Sequence, residues 1–114
     1  MRLSWTQDGT LINAADYAIA RGIQQSELPG LEARGELFSL DVKGDRWYPA
    51  ELLKMPPDAA AVICRTLADA DPAKQLVFFM RTHGALAGRT VAEALAQDEL
   101  AKVLRLAHAW QCEG

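Results

Sequence analysis

Apolar positions recur at helical spacing along most of this chain. Asn13 precedes Ala14-Ala15-Asp16-Tyr17-Ala18-Ile19-Ala20, with Asp16 in the first turn and Gly22 placed to stop the run, which predicts an N-capped helix. After a short connection, Ile23 to Gln25, Ser26 opens a second helical segment in which Leu28 and Leu31 offer an apolar face, and Gly35 closes it. The period then changes. Leu37-Phe38-Ser39-Leu40-Asp41-Val42 alternates apolar with polar residues, and Arg46-Trp47-Tyr48 follows Lys43-Gly44, so a β-hairpin is predicted. Glu51 to Lys54 closes this lobe and Met55-Pro56-Pro57 breaks the chain, dividing residues 1–54 from 55–114, two parts able to share one core. Ala59, Val62, Ile63, Leu67 and Ala70 resume helical spacing from a start near Asp58. Asp71-Pro72 is then an N-cap with proline at the first helical position, for a segment holding Leu76, Val77, Phe79 and Met80 that Thr82-His83-Gly84 ends.

Two more helix starts follow. Thr90 with Glu93 three residues on has the spacing of a capping box, in which hydroxyl and carboxylate satisfy the free amides of a first turn, and Gly88-Arg89 before it is a turn. Val91 and Leu95 share a face of that short helix. Asp98 reads as the N-cap of a last helix whose apolar residues Leu100, Val103, Leu104, Ala107 and Trp110 make a one-sided stripe. The order of elements predicts an α+β, mainly α protein: a small winged helix-turn-helix with a β-hairpin, followed by a compact helical bundle.

Leu86-Ala-Gly88-Arg89-Thr90, then Glu93, Leu95 and Glu99 through Val103 to Leu104, resembles the C-terminal toxin-binding domain of Xre/MbcA/ParS-type antitoxins, which carry a similar L-x-G-x-T/S-P-x-E-x-L turn and short helix. The likeness extends upstream through Trp47-Tyr48-Pro49-Ala50, the helix around Ala59 to Leu67, and Phe78-Phe79, covering roughly the second half to two-thirds of the chain. Val91 stands where the family usually has proline, and little follows the last helix before Gly114. The resemblance implies a helical bundle that docks on a toxin-like partner protein and occludes it, with self-association as a homodimer. Leu86, Gly88, Arg89, Thr90 and Leu95 would build the turn, and Leu100, Val103, Leu104 and Trp110 a packing or partner face. Residues from Thr10 to Leu53 resemble the DNA-binding head of MerR and excisionase proteins, in which an arginine and an aromatic follow the wing glycine as Arg46, Trp47 and Tyr48 do. That likeness implies duplex contacts from Gln24, Gln25, Arg34, Lys43 and Arg46.

Composition limits the choice. Half of the 114 residues are apolar and 24% charged, values of a globular protein, and a chain of this length buries roughly 60–70% of its unfolded surface. The net charge of −3 divides evenly, with 6 basic against 8 acidic residues in 1–54 and 6 against 7 in 55–114, so neither half is a basic lobe of the kind nucleic-acid binders gather. The second helix of the winged unit, Ser26 to Arg34, carries Pro29, Gly30, Glu27 and Glu32, which suit neither a firm helix nor a phosphate backbone. A scaffold retained for packing or protein binding therefore stands beside the DNA-binding reading. No run reaches ~20 apolar residues and Met1 to Trp5 lacks a signal-peptide core, so a cytoplasmic protein is expected.

The chemistry-bearing residues do not assemble into a catalytic or cofactor pattern. His108 and Cys112 lie four apart and share a helix face, half of a metal site whose second pair is missing. Cys64 reads as a buried small hydrophobe, Cys112 as a tail thiol, and His83 as a helix-end residue in solvent. Among the aromatics, Trp110 is either core or an interface anchor. The expectation is a non-enzymatic binding protein without cofactor or metal; a winged-helix transcriptional regulator and a structural protein of unknown partner are the alternatives.

Overall fold

The computed structural model describes residues 2–112, and the side chains of residues 5–111. It is a mainly helical α+β protein. Helix α1 (Arg2–Gln7) leads to strand β1 (Leu11–Asn13), helices α2 (Ala14–Arg21) and α3 (Leu28–Ala33), and strands β2 (Leu40–Val42) and β3 (Asp45–Pro49). A 3-10 segment (Ala50–Lys54) joins these to α4 (Pro57–Thr66), α5 (Pro72–Met80), α6 (Val91–Ala96) and α7 (Leu100–Cys112).

Local chemistry accounts for many of the boundaries. Asn13 ends β1 and caps α2 at once, its Oδ1 accepting the Asp16 amide at 2.8 Å, while Gly22 at φ 76° returns its N–H to the Ala18 and Ile19 carbonyls. Ser26 does not open the next helix. A 3-10 turn (Gln25–Glu27) precedes α3, and the Glu27 carboxylate accepts the Gln24 amide at 2.8 Å. Lys43 and Gly44 have φ 55° and 85°, the two left-handed residues of a tight hairpin turn whose twist matches the strands.

The sheet is antiparallel with order β1-β3-β2, and Trp47 pairs with Asn13 on one side and Leu40 on the other. β1 and α1 were not anticipated: three residues give no alternation to read. The expected strand from Leu37 starts only at Leu40, because Leu37 and Phe38 leave the ladder to enter the core.

One hydrophobic cluster spans both sides of the proline boundary. Phe38 from the winged lobe stacks on Phe79 of α5 with ring centroids 6.0 Å apart. The Arg21 guanidinium donates to the Leu52 carbonyl at 2.7 Å and the Met55 carbonyl at 3.0 Å, and Arg65 of α4 pairs with Glu36 at 2.8 Å. Pro56-Pro57 interrupts the chain and leaves the core continuous. On α4 the fully buried residues are Ala60, Ile63, Cys64 and, at its end, Leu67, one step round from Ala59 and Val62, which are partly covered. Asp98 is also not the N-cap of α7. It sits left-handed at φ 60° with its amide on the Leu95 carbonyl, ending α6, and α7 begins two residues later. Aspartate tolerates that conformation, and a residue closing one helix cannot also take the extended backbone of a cap for the next.

Candidate protein-binding surface

The turn that carries the family resemblance is fastened at several points. The His83 amide bonds the Arg89 carbonyl at 3.1 Å, and the His83 carbonyl accepts from Leu86 at 3.0 Å and Gly88 at 2.9 Å. Leu86 is buried beneath it, and Ala87 and Gly88 are both left-handed at φ 58° and 76°. Arg89 donates from Nε to the Leu86 carbonyl at 2.9 Å and pairs with Glu99 ahead of α7, so it bridges the turn to the last helix. The capping box forms: Thr90 Oγ1 accepts the Glu93 amide at 3.3 Å and Glu93 accepts the Thr90 amide at 2.8 Å. Those bonds from Thr90, the backbone amide first, hold the Glu93 carboxyl below its ordinary range. Val91, in the place of the family's proline, is fully buried, and Leu95 packs partly covered against the core.

Of the stripe expected on α7, Val103 and Ala107 are sealed in the core, and Leu100 and Leu104 are partly buried against it. That face is packing. Trp110 lies at its end, across α5: its ring centroid is 5.6 Å from that of Phe78, and its Nε1 donates to the Lys74 carbonyl at 3.3 Å. Lys74 Nζ and the Arg81 guanidinium stand 6.0 and 5.9 Å from the same indole. His83 is not in solvent. It is 7% exposed, its Nε2 is 2.8 Å from the Phe78 carbonyl, and it packs edge-on to Trp110 at 5.7 Å. A residue 27 positions on provides its cover, which the local helix-end signal cannot register.

Among the described residues the large hydrophobics left exposed are Ile19, Val77 and Met80, the last two on α5. Lys74, Val77 and Arg81 were not foreseen as a surface. The available signal was the width of the apolar run Leu76-Val77-Phe78-Phe79-Met80, broader than one helix face can bury.

In the winged lobe the expected duplex contacts are partly committed elsewhere. Glu32 of α3 accepts hydrogen bonds from Ser39 at 2.7 Å, Arg46 at 2.7 Å and Tyr48 at 2.8 Å. Burial first, then that bond to Glu32, pushes the Tyr48 phenol up to about 12. Arg34 pairs with Glu36 at 3.5 Å. Gln25 and Arg46 line one open cleft with Asn13, Pro29 and Trp47; Gln24 and Lys43 are exposed, Lys43 at the hairpin tip.

A cleft of about 240 Å³ between α2, α3 and α4 is lined by Tyr17, Arg21, Leu31, Glu36 and Asp58, of which Arg21 and Glu36 are engaged with main-chain carbonyls and with Arg65. Cys64 is buried with its pKa pushed up to about 12 by burial, so it stays a thiol at neutral pH. The Cys112 side chain lies outside the described ones, and no three His, Cys, Asp or Glu among the described residues converge as metal ligands. No described helix is long and apolar enough to cross a membrane. Comparison with protein-family models, curated proteins and solved structures finds no match.

Proposed function

We propose that this chain is a non-enzymatic protein-binding module of the antitoxin kind, whose C-terminal helices dock on a toxin-like partner and occlude it. The observation that carries the reading is the surface of α5, where Val77 remains exposed on the side on which Lys74 and Arg81 meet the half-buried Trp110, while the α7 stripe is spent on the core. Aromatic and arginine side chains bordering an exposed apolar residue are enriched at protein interfaces. The turn supports the same reading, because each motif residue has a physical role: Leu86 an anchor, Gly88 a left-handed hinge, Arg89 a strut and Thr90 a cap. Co-purification of the chain with the product of the adjacent reading frame is expected to give a stoichiometric complex, and a homodimer is expected from light scattering. A chain that emerges alone and leaves the neighbouring product active overturns the proposal.

A DNA-binding regulator is the second reading. The helix pair α2–α3 with a three-stranded sheet in the order β1-β3-β2 and Lys43 at the hairpin tip favours it. A low-salt gel shift on the chain's own promoter region, abolished by Lys43→Glu with Arg34→Glu, supports it; absence of any shift removes it. Lys43 is the cleanest of these probes, since Arg46 also holds Glu32 and Arg34 also pairs with Glu36.

A further inference from the structure

Six described cations are paired with carboxylates: Arg34, Arg46, Lys54, Arg65, Arg89 and Lys102. Arg21 is spent on two main-chain carbonyls. Of the other described cations, Lys43 at the hairpin tip and Arg105 on α7 stand apart in solvent, whereas Lys74 and Arg81 converge on one aromatic ring. Among the described residues neither has a carboxylate partner, yet both are held against one indole, that of Trp110. The Asp71 carboxylate at the start of α5 accepts the Ala73 amide at 3.0 Å and forms no ion pair with either. Lys74 and Val77 share a face of α5, and Arg81, its C-cap, returns its amide to the Val77 carbonyl, so the 38% exposed Val77 lies between the two cations. Two like charges beside an exposed apolar side chain, with no carboxylate paired to either among the described residues, are complementary to an acidic, partly apolar ligand.

We infer that Lys74, Val77, Arg81 and Trp110 form the docking face, and that its occupant is an acidic segment of the partner protein in which carboxylates flank an apolar side chain. The inference rests on the protein-binding reading and gives it a place and a chemistry. The apolar side chain covers Val77 and the open edge of the indole, and the carboxylates take the ammonium and guanidinium. A nucleic acid fits less well. Single-strand binding needs a free aromatic face, whereas this ring carries two cations and packs against Phe78 and His83.

The test uses the complex with the adjacent frame's product. Lys74→Glu with Arg81→Glu, and separately Val77→Asp, leave the circular dichroism and melting temperature of the free chain near wild type, because these side chains reach solvent. Each is expected to weaken the complex roughly tenfold or more, and the charge reversal to flatten its salt dependence. Lys102→Glu with Arg105→Glu on α7 changes it less than about twofold. The Trp110 indole N–H resonance, assigned with Trp110→Phe, shifts on adding the partner. A complex that forms but ignores the α5 variants overturns this surface and spares the protein-binding reading; absence of any complex overturns both. If the α5 variants abolish self-association alone, the occupant is a second copy. If they abolish binding of a single-stranded oligonucleotide alone, it is nucleic acid. Either result overturns the acidic segment.

Discussion

The winged lobe and helix α5 treat their charged groups in opposite ways. In the lobe, Glu32 collects Ser39, Arg46 and Tyr48, and Glu36 collects Arg34 and Arg65, so the charge ties elements together. Along α5 and its C-cap, Lys74 and Arg81 have no carboxylate partner among the described residues and meet at the Trp110 ring. The two halves have nearly the same balance of acids and bases, so counting charges does not separate them. Pairing does: the lobe's carboxylates engage cations from other elements, while the two cations around Trp110 are the ones the proposed docking face uses.

The sharpest break of this contrast is through the shared core. Phe79→Ala removes the ring that stacks on Phe38 and should cost roughly 3–5 kcal/mol. Urea unfolding followed by far-ultraviolet dichroism and by Trp47 fluorescence should still give one transition; two transitions would mean the halves fold separately. Next comes the acid that organises the lobe. Glu32→Ala strands three donors and should cost about 2 kcal/mol, whereas Lys74→Ala should stay within about 0.5 kcal/mol. Equal losses at the two positions would erase the distinction between engaged and spare charge.

Tyr48 extends the comparison to pH. Its phenol is raised from 10.0 to about 12 by burial and then by Glu32, so the fold favours the neutral form. That contribution is complete below about pH 10 and is lost as pH climbs through about 12, and alkaline unfolding should be shallower over that window in Tyr48→Phe. Thr90→Ala deletes one arm of the capping box and should cost about 1 kcal/mol in thermal unfolding. Smallest is Ala87→Gly, which relieves a left-handed alanine and should raise stability by about 0.5 kcal/mol. A loss there would show that the alanine methyl contributes more than its backbone strain removes.

Most features set by a few neighbouring residues were legible in the sequence, Ser26 and Asp98 being the local signals that misled. Asn13, Gly22, Asp71-Pro72 and the Thr90–Glu93 pair all act within four positions, and all act as their spacing suggests. Features set at a distance were not. Glu32 works through donors 7, 14 and 16 residues away, and in the sequence it looked only like an unsuitable charge on a reading helix. His83 is buried because Trp110 covers it, and β1 exists because β3 offers it an edge. The candidate site divides along the same line. Leu86, Gly88, Arg89 and Thr90 were recognisable as a turn, while the exposed face of α5 showed only as an apolar run too wide for its helix.

Phe38 and Phe79 face each other across Pro56-Pro57, and this limits how such a protein can be rearranged. A fragment stopping at Lys54 would display Phe38 on a bare wall, and the remaining piece would do the same with Phe79. The first half is therefore no cassette: joining it to a different second half has to carry the opposing aromatic along, or repair both walls at once.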